Sequence, residues 1–314
     1  MLGAGFQLQV DSKEERLILT GGKQGWVTFL SSTETYPPIS GCFLPPLPAT
    51  RGLHVSFMTA GVNPMLATCG GNDKDWLSSC LVLNATAGRW EEKVMGPLLR
   101  TRGNHAVATL KNVGVYIIGG EGIPSGTTEF LASGTLEWQQ GPTLPFKAYR
   151  PCAVSISSSS FIVVYGSEVR EFDASIAGPI SRQGWGNENK WPKLKTRRIY
   201  WPGCALVGQK VIIAGGYSRG NSYATTEILD LTTKTIVYGG DMALPRRLFH
   251  IHTVKYRNST KIFALGGKGE DNESLKIVEE WSPETEMWRR VQDLSLEIYS
   301  YGIVAAPVKT ICPK

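Results

Sequence analysis

The chain has 314 residues, of which 42% are hydrophobic, enough apolar material for a sizeable core. Its net charge of +6 is too small and too dispersed to mark a nucleic-acid surface, so no nucleic-acid partner is expected. No stretch of 18 apolar residues exists, and Met1 to Gln7 lack the basic segment and apolar core of a secretory leader, so a cytoplasmic chain without a membrane span is expected.

Taken in order, the chain is one unit repeated. Phe6 to Val10 alternates apolar and polar residues, as a half-buried strand does. Short apolar runs then end in glycine pairs at Gly21-Gly22, Gly70-Gly71, Gly119-Gly120, Gly215-Gly216 and Gly266-Gly267, with Tyr165-Gly166 filling the one gap. A glutamate stands nine residues before a bulky residue: Glu34 and Phe43, Glu129 and Trp138, Glu171 and Ile180, Glu227 and Ile236, Glu279 and Trp288. The second copy has Leu81 and Trp90 at these places. A leucine closes each unit, at Leu47, Leu98, Leu144, Leu194, Leu244 and Leu294.

Short apolar runs bounded by glycine and polar loops read as buried strands. A glycine pair at a strand end admits positive φ and close approach by a neighbouring backbone. The order of apolar strand, diglycine, loop, glutamate-bearing strand and tryptophan resembles the kelch repeat, whose period is about 50 residues. The resemblance implies an all-β, six-bladed propeller of four-stranded antiparallel blades, with residues 1–314 as a single domain. Tyr301 to Ala306 competes with Phe6 to Val10 for the innermost place of blade one; the C-terminal segment is favoured because joining the ends closes the ring. Proline-rich Gly41 to Pro48 is expected as an outer strand, Ser181 to Lys190 as an insertion in blade four, and 308–314 as a loose tail.

Six cysteines, Cys42, Cys69, Cys80, Cys152, Cys204 and Cys312, show no C-x-x-C spacing and read as small buried hydrophobes. Asn84-Ala-Thr, Asn258-Ser-Thr and Asn272-Glu-Ser are glycosylation sequons, which keep a secreted alternative open.

In an up-and-down blade, the loop after the second strand and the linker to the next blade open on one face. Those linkers repeat an arginine beside bulky residues: Arg51, Arg102, Arg150 with Tyr149, Arg198 with Tyr200 and Trp201, and Arg247 with Phe249, while the last linker ends in Tyr301. Guanidinium groups interleaved with aromatics around one pocket suit carboxylates of a peptide. The resemblance implies the same face as a protein-binding surface, for a short acidic or turn-shaped segment. It also implies an adaptor or substrate-receptor role in ubiquitin ligation, for which the dimerisation and cullin-binding domains would come from another subunit. The same arginines can equally brace neighbouring blades.

An enzyme is the rival class, as a sugar isomerase or metal-dependent oxidase on this fold; an extracellular or actin-associated scaffold is a third. His54, His105, His250 and His252 are the only histidines, and three of them follow linker arginines around the ring. They fit repeat positions better than a metal centre. No G-x-S-x-G or H-E-x-x-H motif is present. The expectation is a monomeric, non-enzymatic protein-interaction module with no cofactor.

Overall fold

The computed structural model describes residues 14–26, 28–122, 126–176, 184–186, 190–198 and 200–312; Phe6 to Val10 and Ile180 lie outside them. Six small antiparallel sheets follow one another along the chain and close into a six-bladed propeller. Blades two, three, five and six are four-stranded, with inner strands Val55–Met58, Ala106–Leu110, Gly203–Val207 and His250–Tyr256. Blade four begins at Cys152–Ser155. Blade one takes its inner strand from the far end of the chain: Gly302–Pro307 pairs with Glu15–Thr20, Thr20 opposite Gly302. The C-terminal strand therefore closes the ring.

The second strand of a blade is covered from both sides by its neighbours. Phe161 to Val164 and Val211 to Ala214 are buried at every position, which is why they read as unbroken apolar runs. Each blade-to-blade interface holds its own apolar cluster. Between blades five and six, Trp281 and Trp288 meet edge to face at 5.1 Å beside Ile228, Met242 and Ile251. The glycine pairs permit this crowding. Gly21 has φ +53°, and a Cβ there would lie 2.2 Å from the Arg51 carbonyl oxygen. The second glycine of a pair donates its N–H to the following linker, Gly22 to Arg51 and Gly71 to Arg102, both at 2.7 Å.

Several sequence expectations need correction. In blade five the closing apolar residue is Met242, whose N–H donates to Ala224 just as that of Leu98 donates to Ser78, while Leu244 is exposed. Gly41 to Pro48 forms no strand, because Pro45, Pro46 and Pro48 have no N–H to give a ladder. Phe43 is 93% exposed instead of filling a wedge. Among the described residues, blade four is continued beyond its third strand by a bridge between Phe172 and Trp185, and Trp185 packs edge-on to Phe146, Phe161 and Phe172. The inserted segment thus supplies the tryptophan that the repeat spacing lacks. Residues 308–312 are not a loose tail: Val308–Ile311 forms one helical turn with Val308 and Ile311 buried, and Cys312 is bonded to Cys42. Nor are the cysteines free. All six are paired, as Cys42–Cys312, Cys69–Cys80 and Cys152–Cys204.

Candidate functional site

The linkers are in register when counted from the closing apolar residue. Four residues after it stand Arg51, Arg102, Ala148, Arg198, Arg246 and Ile298. Their carbonyls accept the glycine N–H groups. Arg102, Arg198 and Arg246 are wholly enclosed. Arg102 pairs with Glu129 at 2.6 Å, Arg198 with Glu227 at 2.5 Å, and Arg246 with Glu279. The same carboxylates accept backbone N–H groups of the linker, from Leu99 and Arg100, from Lys195 and Thr196, and from Ala243. Blade two carries Leu81 at the glutamate position, and Arg51 turns to the carbonyls of Gly70 and Ser79 at 2.8 Å. Burial pulls the Arg51 pKa down to about 10; it also lowers those of Arg102, Arg198 and Arg246, whose glutamates act in the opposite sense. Arg51, Arg102 and Arg198 therefore act as braces between blades, buried out of reach of a ligand at the surface. Arg246, not Arg247, is their counterpart in blade five.

One residue per linker then adopts the left-handed conformation: Leu53, Asn104, Arg150, Trp201, Leu248 and Ser300, with φ from 53° to 62°. These six ring the mouth of a cavity of 470 Å³ along the propeller axis. Their backbones are linked to one another, Leu53 N–H to Ser300, Asn104 to Leu53, Trp201 to Arg150 and Ser300 to Leu248, at 2.7 to 3.1 Å. The next residue turns into the interface between blades, as His54, His105, Phe249 and Tyr301. Phe249 and Tyr301 are thus buried, and the Tyr301 hydroxyl donates to the Leu265 carbonyl at 2.6 Å. Neither is available at the surface, contrary to expectation. Burial holds His105 near a pKa of about 3 and His250 near about 4. Among the described residues, no group of three or more His, Cys, Asp or Glu is placed to hold a metal.

Arg150 is the expected arginine that does reach the mouth. It stands two residues beyond Ala148, at the left-handed position, and its guanidinium lies 3.9 Å above the Trp201 ring and 5.1 Å from that of Tyr200. It pairs with Glu121 Oε1 at 2.6 Å. Asn104 Nδ2 donates to the other oxygen of Glu121 at 2.6 Å, and Trp201 Nε1 donates to Asn104 Oδ1 at 3.0 Å. Glu121, Asn104, Trp201 and Arg150 form a closed circuit. Tyr149, beside it, is 38% exposed.

Further cations sit on aromatic rings around the same face. Arg247 lies over Tyr217 at 4.7 Å, with its guanidinium committed to Ser222, Asn272 and the Gly269 carbonyl. Its backbone pairs with Lys268, whose Nζ stands 5.3 Å from Trp26 and 5.0 Å from Tyr299. Lys23 Nζ lies 4.1 Å over Phe29. Burial lowers the pKa of Lys268, and Arg247 lowers it further; burial and then Lys268 lower that of Lys23. Tyr217, Lys268, Tyr299, Trp26, Lys23 and Phe29 were not singled out from the sequence, because they come from loops far apart in the chain. The face therefore holds an arc of cations from Arg150 to Lys23, interrupted by Glu121 and by Glu273, which faces Lys268.

Six blades with diglycine strand ends and glutamate-anchored linkers, together with the likeness below, support a kelch-repeat propeller. The chain is 27% identical over 222 residues to Kelch-like protein 38 of Rattus norvegicus. That match covers 66% of this chain and 34% of the relative, so the chain spans about a third of the protein it resembles. No family model matches the chain. Kelch similarity and propeller fold together support a protein-interaction module. Among the described residues, no helix is long and apolar enough to cross a membrane.

Proposed function

We propose that the propeller captures a short, turn-shaped acidic segment of a partner protein on the arc from Arg150 to Lys23. The observation that carries this reading is the arrangement of Arg150, Lys268 and Lys23, each held against an aromatic ring at 3.9 to 5.3 Å. Stacking fixes the cations before a ligand arrives, so less side-chain entropy is lost on binding. The mutual repulsion of Lys23 and Lys268 is relieved by an incoming carboxylate. Glu121 at the mouth repels a uniformly acidic chain, and selects a segment whose carboxylates point outward while its turn presents N–H donors to the axis. The cavity behind the mouth accepts one apolar side chain.

The test is a peptide-display selection against the intact protein, followed by titration of the best peptides into wild type, Arg150→Ala and Lys268→Ala. Enriched Asp or Glu and at least tenfold weaker binding by both variants, each with an unchanged melting temperature, is the expected result. Selection of peptides without acidic residues, or equal affinity for the variants, overturns it.

A further inference from the structure

The three disulfides and the three sequons bear on one question, where this chain folds. The cysteines are not gathered at one point, as metal ligands or a redox centre would be. Cys69 and Cys80 face each other on adjacent strands of blade two. Cys152 and Cys204 join the inner strands of blades four and five, with Cα atoms 6.1 Å apart. Cys42 and Cys312 fasten the last helical turn to blade one across 270 residues, at 5.8 Å. Each sits where a cross-link reinforces the ring, and no cysteine is left over. Dispersed structural disulfides of this kind persist in oxidising compartments, where sequons are also read.

The sequons differ in access. Asn258 is at the tip of the hairpin between the first two strands of blade six; Tyr256 is paired with Ser259, and Asn258 has φ +60°. Asn258, Ser259 and Thr260 are all exposed, and among the described residues the Asn258 carboxamide has no hydrogen-bond partner. Asn272 is closed off. Its Oδ1 accepts from Arg247, and Ser274 of the same sequon is buried, its Oγ accepting the Gly25 N–H at 2.9 Å. Asn84 is intermediate, with its carboxamide tied to Ala87 and Glu91. Antiparallel pairing puts the Asn258 turn at the end of the blade away from the linkers, so a glycan there leaves the cation-lined face open.

We propose that this chain folds in an oxidising, glycosylating compartment and carries an N-linked glycan on Asn258. In the transfer, the carboxamide nitrogen forms a bond to C1 of a lipid-pyrophosphate-linked oligosaccharide. The C1–phosphate bond breaks, the lipid pyrophosphate leaves, and the lost amide proton passes to a base of the transferase. Each disulfide forms by exchange with a protein disulfide: two thiols give up two electrons and two protons, and the donor is reduced to its dithiol. The inference is independent of the peptide-binding reading.

The decisive experiment uses the protein isolated from its own source. It is denatured without reductant, alkylated, and digested before and after peptide-N-glycosidase treatment in 18O-water. Conversion of Asn258 to 18O-labelled Asp, with no alkylated cysteine, is the expected result. An unmodified Asn258, a glycan on Asn272, or alkylation at all six cysteines overturns the proposal. Asn258→Gln expressed in the same cells reads the result separately, as the loss of one glycan from the intact mass.

Discussion

The indole N–H of Trp201, in the linker after blade four, donates to the carboxamide oxygen of Asn104, in the linker after blade two, at 3.0 Å. The linker between them carries Arg150, whose guanidinium lies 3.9 Å over the Trp201 ring. Ninety-seven residues of chain separate the two partners, yet both sit at the left-handed position of their linkers. A repeat architecture has placed unlike side chains at equivalent points around one opening.

Trp201→Phe keeps an aromatic ring beneath Arg150 but removes the donor. The loss of one neutral hydrogen bond is about 0.5–1.5 kcal/mol, which, where it falls on binding of an acidic peptide, is a weakening of roughly twofold to twelvefold. Trp201→Ala, which also removes the stacking, is expected to weaken binding further. Calorimetric titration of the three proteins checks the order.

The braces and the site arginine are expected to separate cleanly. Arg102→Ala leaves Glu129 buried and unpaired, at a cost of about 3–5 kcal/mol, and the urea midpoint falls accordingly. Arg150→Ala breaks a partly exposed pair with Glu121, worth up to about 1 kcal/mol in stability, and acts on binding instead. Equal destabilisation by the two substitutions would contradict this division.

Acid is expected to destabilise the ring through its histidines. His105 and His250 are held near pKa values of about 3 and about 4, below the ordinary histidine value of 6.5. The unfolded chain therefore takes up their protons first as pH falls. Their contribution is complete above about pH 6.5 and is lost on descending through the window to about 4 for His250 and about 3 for His105. Within it each histidine costs about 1.4 kcal/mol per pH unit. Urea melts at pH 7, 6 and 5 measure the slope.

Affinity for an acidic ligand is expected to fall as salt is raised, because Lys268 and Lys23 remain partly exposed cations and are screened within about 8–10 Å at physiological ionic strength. The Asn104–Trp201 bond is neutral and is not screened. Trp201→Phe should therefore show the wild-type salt slope, whereas Lys268→Ala should show a shallower one.

Removal of the Cys42–Cys312 link by Cys312→Ser frees a loop of 270 residues in the unfolded state. The chain-entropy account gives a loss of about 5–6 kcal/mol. Cys69 and Cys80 close a loop of only 11 residues, and Cys80→Ser is expected to cost less by that account. Paired denaturant curves compare them.

The fold was legible because its signals are local. Apolar runs, glycine pairs and the glutamate two positions before the wedge residue's strand partner recur with the blade. Where one marker changed chemistry, the reading slipped: Met242 in place of leucine left Arg246 and Arg247 indistinguishable by sequence, and the structure shows that Arg246 is the brace. Trp185 escaped notice because it stands in an insertion, outside the repeat spacing. At the site, Arg150, Tyr200 and Trp201 were found because they stand at repeated positions of two successive linkers. Lys268 against Trp26 was not, since the ring joins loops from opposite ends of the chain, and no sequence spacing encodes that contact.

Because Gly302–Pro307 is the inner strand of blade one, that blade cannot be completed until residue 307 has been made. The blades between can form in sequence behind the ribosome, but Glu15–Thr20 waits for its partner on that edge until Gly302–Pro307 has followed them. An unpaired edge accepts any compatible strand, including that of another nascent copy. Ring closure comes after every other blade has been made, and is the pairing most exposed to exchange between molecules.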